Sequence, residues 1–332
     1  MTYLYRVILV VLLIASIFLG YLSYEMELKI KDLERQSIEP TFIQDVVLPH
    51  EFDFCGEAVP MNDPEVRERF DFELVVNVHL HARTMLVLKR AHRWFPQIEP
   101  ILKEYNIPDD FKYLAVIESN LSNAVSPVGA SGFWQFMDRT GKEFDLEITD
   151  EVDERYHVLK ATRAACEYLQ WAYNKTGNWT NAAAAYNAGV HGINKRLEKQ
   201  QVSSYYDAIV PRETSRYIFR ILALKEIMKN PTKYKFEMTE RNLYSELPVR
   251  VVKVDSTLAD LRQFAIAQGT TYKLFKYYNP WLRMDKLTIS EKDTSKIYEI
   301  FLPVNSKEGE LHPAIQQKEK QEKDTILKLK NE

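Results

Sequence analysis

Composition alone names no ligand for this 332-residue sequence. Its 44 Lys and Arg nearly cancel its 47 Asp and Glu, so there is no basic footprint for nucleic acid and no strongly acidic surface. Cysteine is almost absent. Cys55 and Cys166 are the only two, neither stands in a metal-ligand pattern, and the pair fits a long-range disulfide or two buried thiols equally well. The seven histidines are scattered. His79 and His81, at i and i+2, would point to different sides of one helix and read as ordinary core or surface residues. No metal centre and no cofactor is expected. What is present is a 45% hydrophobic, 12% aromatic chain, enough to bury a full core and to build one large and one small domain.

Residues 7–24 form an eighteen-residue stretch without a charge, preceded by Arg6 and followed by Glu25. That length reaches a membrane span, and the positive flank favours a cytoplasmic amino end. Cleavage as a signal peptide would need small residues ahead of the cut, whereas Phe18 and Tyr21 stand two places before Gly20 and Ser23. Residues 1–24 are therefore expected to anchor the chain in the cytoplasmic membrane, with a cleaved export signal as the alternative. Either reading exports everything after Glu25. Residues 25–60 read as a stalk and linker, "EMELKIKDLERQ" continuing the helix until Pro40 interrupts it.

A new helix should start at Asp63, a capping residue, with Pro64 at its first position and Glu65 where the helix dipole favours anions. From there to about Asn230 the pattern is almost wholly helical. Breaks are expected at Phe95-Pro96, at "YNIPDD", in the 126–132 loop, at Gly177 and at Pro211, and the last long helix lines Ile218, Ile221, Leu222 and Lys225 along one face. From Leu247 the texture changes: two β-branched strands, "VRVVKV" and "KIYEIFLP", enclose two short capped helices in the order βααβ. The run "NPTKYKFEMTERN" predicts a boundary at which residues 247–304 can be removed without unfolding the helical part. Residues 305–332 are too charged for a core and are expected to be disordered or a solvated helix. The fold class is mainly α, with a small βααβ domain.

Glu118 stands out within "YLAVIESN". It borders an apolar helical stripe at the last turn, where lost solvation would raise its pKa and let it stay protonated near neutrality, the state a general acid requires. A solvated glutamate at a helix end is the bland alternative. The neighbouring segments favour the first reading. "SPVGASG" offers a loop with Ser131 as a cap, so "FWQFM" should begin a helix that turns Trp134 and Gln135 toward Glu118. "NAAAAYNAG" ends a small-residue helix on Tyr186 and Asn187, its alanines permitting close packing. An aromatic face and amide groups beside an acid suit a sugar, whose C–H faces stack while its hydroxyls need fixed partners.

Glu118-Ser119, Gly132-Phe133-Trp134-Gln135, Ala185-Tyr186-Asn187 and "ETSRYI" at 213–218 resemble, in order and spacing, the four blocks of the lytic transglycosylase family with the goose-lysozyme-like fold. The resemblance covers about residues 61–235. It implies that Glu118 is the catalytic acid and then base, and that Ser119, Gln135, Tyr186, Asn187, Glu213 and Tyr217 line the glycan cleft; Trp134 joins them on the residue pattern alone. It further implies cleavage of the MurNAc-β-1,4-GlcNAc bond of peptidoglycan with closure of a 1,6-anhydro ring, in the periplasm. Phe133-Trp134 depart from the Leu-Met that many members carry. Residues 247–304 resemble a LysM peptidoglycan-binding module, although "DSTL" lacks the glycine of the usual turn. A hydrolytic muramidase of the same fold, or a non-catalytic wall-binding scaffold, are the rival readings.

Overall fold

The computed structural model describes residues 2–37, 45–290 and 295–304, with the side chains of 2–4, 6, 7, 9–11 and 32–37 left undescribed. The expected interruption at Pro40 and the charged tail fall outside the described residues. The chain divides into two units, Met1–Val47 and Leu48–Glu332. The first holds helix α1 (Thr2–Ser37), in which the charged segment after Glu25 continues the apolar one without a break. Among the described residues no helix is long and apolar enough to cross a membrane.

The second unit begins earlier than its helical pattern. Strands β1 (Asp53–Phe54) and β2 (Glu57–Ala58) form a hairpin with Cys55 and Gly56 at positive φ in the turn. Phe54 is fully buried with its ring edge-on to Phe111, and the Glu57 carboxylate accepts from the amides of Trp179 (2.6 Å) and Thr180 (2.9 Å). Residues 48–60 are therefore part of the helical body, which corrects their assignment as linker: one apolar ring and one carboxylate tie them to distant helices.

Helix α2 (Pro64–His79) starts as expected, Asp63 accepting from the amide of Glu65 at 2.8 Å. It stops at Leu80, and α3 (His81–Glu104) begins at once. That bend brings the His79 and His81 rings edge-on at 6.0 Å, where one straight helix would have separated them. The expected break at Phe95-Pro96 does not occur, because α3 runs through both Pro96 and Pro100. Both prolines lie on the exposed side, where carbonyls left without an amide partner can reach water, while buried Ile98, Ile101 and Leu102 hold the opposite face. A 3-10 turn (Asp109–Phe111) leads into α4 (Lys112–Ser119), followed by α5 (Asp138–Glu143), α6 (Val158–Thr176), α7 (Trp179–Ala188), α8 (Val190–Gln200) and α9 (Arg212–Lys229).

Helix α9 is the central rod, touching α2, α4 and α7. Lys225 does lie on its apolar face, and its buried ammonium is met by Asp110 Oδ2 at 2.6 Å and by the carbonyl of Asp53 at 2.7 Å. Both cysteines are free thiols, Cys55 in the hairpin turn and Cys166 buried on α6.

In the C-terminal module β3 (Val249–Val254) pairs antiparallel with β4 (Tyr298–Pro303), and α10 (Leu261–Ala267) and α11 (Tyr272–Tyr278) lie between them in sequence, capped by Asp260 and Thr271. Its core of Leu261, Phe275, Trp281, Leu282, Leu287 and Ile300 continues without interruption into Val152 and Tyr156 of the helical domain. Main-chain bonds reinforce the join, Asp153 N to Trp281 O at 2.8 Å and Arg283 N to Glu151 O at 2.7 Å. Composition marks where the texture changes, but the apolar core crosses that line, so removal of the module would uncover Val152 and Tyr156.

Candidate active site

Helix α4 ends where its chemistry begins. Asn120 and Leu121 both adopt positive φ, the left-handed geometry that terminates a helix, and leave Glu118 in the final turn. Its partly buried carboxyl accepts a short hydrogen bond from the Tyr217 hydroxyl on α9. Loss of solvation pushes its pKa from the ordinary 4.5 up to about 7, against the lowering effects of the Tyr217 bond and the Arg220 charge; Glu213 adds a smaller push upward.

The partners of the other acids show how unusual this is. Each fully buried carboxylate of the described residues has a cation against it: Glu73 has Arg216, Asp110 has Lys225, Asp153 has Arg155, Glu154 has Lys160 and Glu226 has Lys233. Glu118 has a phenol. It is desolvated without being neutralised, so near neutral pH it can hold a proton and release it.

The loop after α4 is built by contacts distant in sequence. Ser119 is buried, and its hydroxyl donates to the Phe133 carbonyl at 2.8 Å, which makes it a brace for the loop. Gly132 is needed as glycine: at φ +81° a Cβ would stand 1.8 Å from the Arg155 carbonyl. The Arg155 guanidinium in turn donates to the carbonyls of Gly129 (3.2 Å) and Phe136 (3.3 Å).

Under these constraints "FWQFM" is a turn and bridge segment, and the helix expected there starts only at Asp138. Ser131 caps nothing; it bridges to Val125 and Phe136. Trp134 is also corrected. It is wholly buried with its indole N–H on Thr162 Oγ1 at 2.9 Å, so its ring cannot stack on a sugar, and only its carbonyl faces the site, accepting from the Tyr186 hydroxyl at 2.8 Å. Gln135 sits at φ +50° with both amide hydrogens committed, to the Ala124 (3.0 Å) and Gly132 (2.8 Å) carbonyls, leaving its oxygen as the group able to accept from a ligand.

Buried Ala182–Ala185 bring α7 close against its neighbours, as the small-residue pattern implied. Tyr186 lies between Phe136 and Tyr168, with ring centroids 6.0 and 5.0 Å away, and it adds to the apolar wall around Glu118. Burial drives the hydroxyls of Tyr186 and Tyr217 well above the ordinary range, so both remain donors. Asn187 accepts from Thr214 Oγ1 at 2.8 Å and reaches exposed Glu213 at 3.5 Å. Glu118, Ser119, Gln135, Tyr186, Asn187, Glu213 and Tyr217 thus come together from α4, the loop, α7 and α9; Trp134 stays behind in the core. The sequence reading missed Arg220, whose Nη2 rests on the Ile117 carbonyl at 3.1 Å; its i, i+4 spacing from Arg216 was the available signal.

Residues 97–209 match the transglycosylase SLT domain, and residues 250–306 match the soluble lytic transglycosylase C-terminal LysM-like domain. Over 236 residues, 66% of this chain, the sequence is 28% identical to "Membrane-bound lytic murein transglycosylase D" of Escherichia coli (strain K12), and the match covers 50% of that protein. The protein of the same name in Escherichia coli O6:H1 matches with the same identity and coverage. The chain spans about half the length of the curated relatives it matches. Glu118, Gln135, Tyr186 and Asn187 fall inside the first matched segment, and Glu213 and Tyr217 follow it.

Proposed function

We propose that this chain, which carries a transglycosylase SLT domain followed by a LysM-like domain, is a peptidoglycan lytic transglycosylase in which Glu118 acts as acid and then as base. One observation carries the reading: Glu118 is desolvated, has no cation against it, and is held by Tyr217. The protonated Glu118 carboxyl donates to the glycosidic oxygen between MurNAc and GlcNAc, and the bond from C1 to that oxygen breaks. The muramoyl acetamido oxygen supports the positive charge that develops at C1. Glu118, now a carboxylate, takes the proton of the muramoyl 6-hydroxyl, O6 bonds to C1, and the 1,6-anhydro ring closes with Glu118 protonated again. No water is consumed. The wall of Tyr186, Tyr217 and Phe136 favours that outcome by limiting solvent around the carboxyl.

In this account residues 7–24, an uncharged run of which the side chains of 7 and 9–11 lie outside the described residues, hold the enzyme at the outer face of the cytoplasmic membrane, and the LysM-like module contributes glycan contact. Among the described residues Glu213 is the other carboxylate that acts on Glu118, and its position beside Asn187 is what a hydrolytic mechanism would use to hold water. Mass spectrometry of sacculi digested with the full-length protein separates the two. Fragments ending in 1,6-anhydro-muramic acid, lighter by one water, are expected. Reducing muramic acid as the main end would replace this reading with the hydrolytic one.

A further inference from the structure

Beside Glu118 lies an open cleft of about 540 Å³ whose walls carry Arg83, Arg212, Arg216 and Arg220 against only two acids, Glu73 and Glu213. Glu73 is buried and already paired with Arg216. Among the described residues Arg83, Arg212 and Arg220 have no carboxylate partner. Their structural duties are slight: Arg83 Nε donates to the Asn120 side chain at 2.9 Å, Arg220 donates to one carbonyl, and the exposed Arg212 side chain bonds nothing among the described residues. A guanidinium has five N–H donors, so most of the donor capacity of this cleft is unspent. The charges also crowd each other. The Arg83 pKa is depressed, first by burial and then by the Arg220 charge. A neutral chain of sugar hydroxyls has no need of such a cluster, whereas planar carboxylates match it, each able to take two parallel N–H bonds.

The residues lining the cleft adjoin the reaction site: Arg220 rests on Ile117, the residue before Glu118, Arg83 holds Asn120, and Glu213 contacts Asn187. We infer that it is a subsite for the carboxylates of the peptide stem borne by the muramoyl residue, so that the enzyme selects peptide-bearing over stripped glycan. The inference rests on the proposed peptidoglycan substrate but not on whether the bond is cut by ring closure or by water.

Binding tests it apart from turnover, in the full-length Glu118→Gln protein. Three glycan fragments of equal length are compared by calorimetry: one with intact stems, one stripped by an amidase with the lactyl carboxylates so exposed then amidated, and one whose stem carboxylates are amidated. Intact stems should bind about tenfold or more tightly than either of the others, the margin shrinking as salt is raised. Arg212→Gln, which removes a side chain that supports no part of the fold, should cut the margin several-fold, and Arg212→Lys should restore part of it. Equal affinity for all three fragments would overturn the inference, as would a margin untouched by Arg212→Gln combined with Arg83→Gln. Reducing ends in the digest would instead overturn the lytic mechanism and leave the margin intact.

Discussion

The two ends of the short helix α4 present the same problem and answer it differently. Asp110, in the turn that leads into the helix, is buried and receives the Lys225 ammonium at 2.6 Å and the Cys55 amide at 2.7 Å. Glu118, in the last turn, receives the Tyr217 hydroxyl and no cation. A buried acid with a full set of charged and polar partners is a structural tie that holds the 53–58 hairpin, α4 and α9 together. A buried acid given one phenol keeps an adjustable proton. Desolvation alone therefore does not set Glu118 apart from Asp110; the missing ion-pair partner does.

The contrast can be broken from either end. Glu118→Gln should lower glycan cleavage by about 10²- to 10⁴-fold while the helical circular dichroism spectrum and melting temperature hold, because the amide keeps the shape and cannot give the proton. Near-normal turnover by the folded variant would sink the assignment. At the other end, Lys225→Met strands Asp110 without its cation and should cost about 3–5 kcal/mol in denaturant melts, with normal turnover from the fraction that remains folded. Pairing it with Asp110→Asn should recover part of the loss. If Lys225→Met instead left stability alone and abolished cleavage, the two ends of α4 would not differ in role.

Two smaller effects sharpen the comparison. Tyr217→Phe removes the bond that lowers the Glu118 pKa, so the alkaline limb of kcat/KM should move to higher pH, with a loss of rate smaller than that of Glu118→Gln. A limb moving to lower pH would contradict the direction of that bond. Stability should also record the acid. The folded state holds the Glu118 proton more tightly than the unfolded chain, so its contribution is complete below the ordinary 4.5 and is lost as pH rises to about 7. The stability of the parent relative to Glu118→Gln should fall across that interval; a flat difference would show a carboxyl with no raised pKa.

Much of this was legible in the sequence because its cause is local. Asp63-Pro64 starts α2, Gly177 ends α6 at φ +82°, and the apolar stripe before Glu118 places the acid in the last turn of α4. Tertiary partners decided the rest. The pattern of "FWQFM" is compatible with a helix, but Ser119 and Arg155 take its carbonyls, Gln135 turns to positive φ, and Thr162 offers the Trp134 indole a partner in the core. Phe54 and Glu57 look like linker until Phe111 and the start of α7 are placed against them. The βααβ order was readable from strand and cap signals, whereas its fusion with Val152 and Tyr156 rests on a core drawn from both sides of the composition change.

Titration of the Glu118 carboxyl by carbon-13 NMR in the full-length protein, with the resonance assigned by its loss in Glu118→Gln, tests the account most directly. The account predicts an apparent pKa of about 7, leaving the acid substantially protonated at neutral pH. A value at or below the ordinary 4.5 would contradict it, because Glu118 would then be ionised at neutral pH, with no proton to give the glycosidic oxygen.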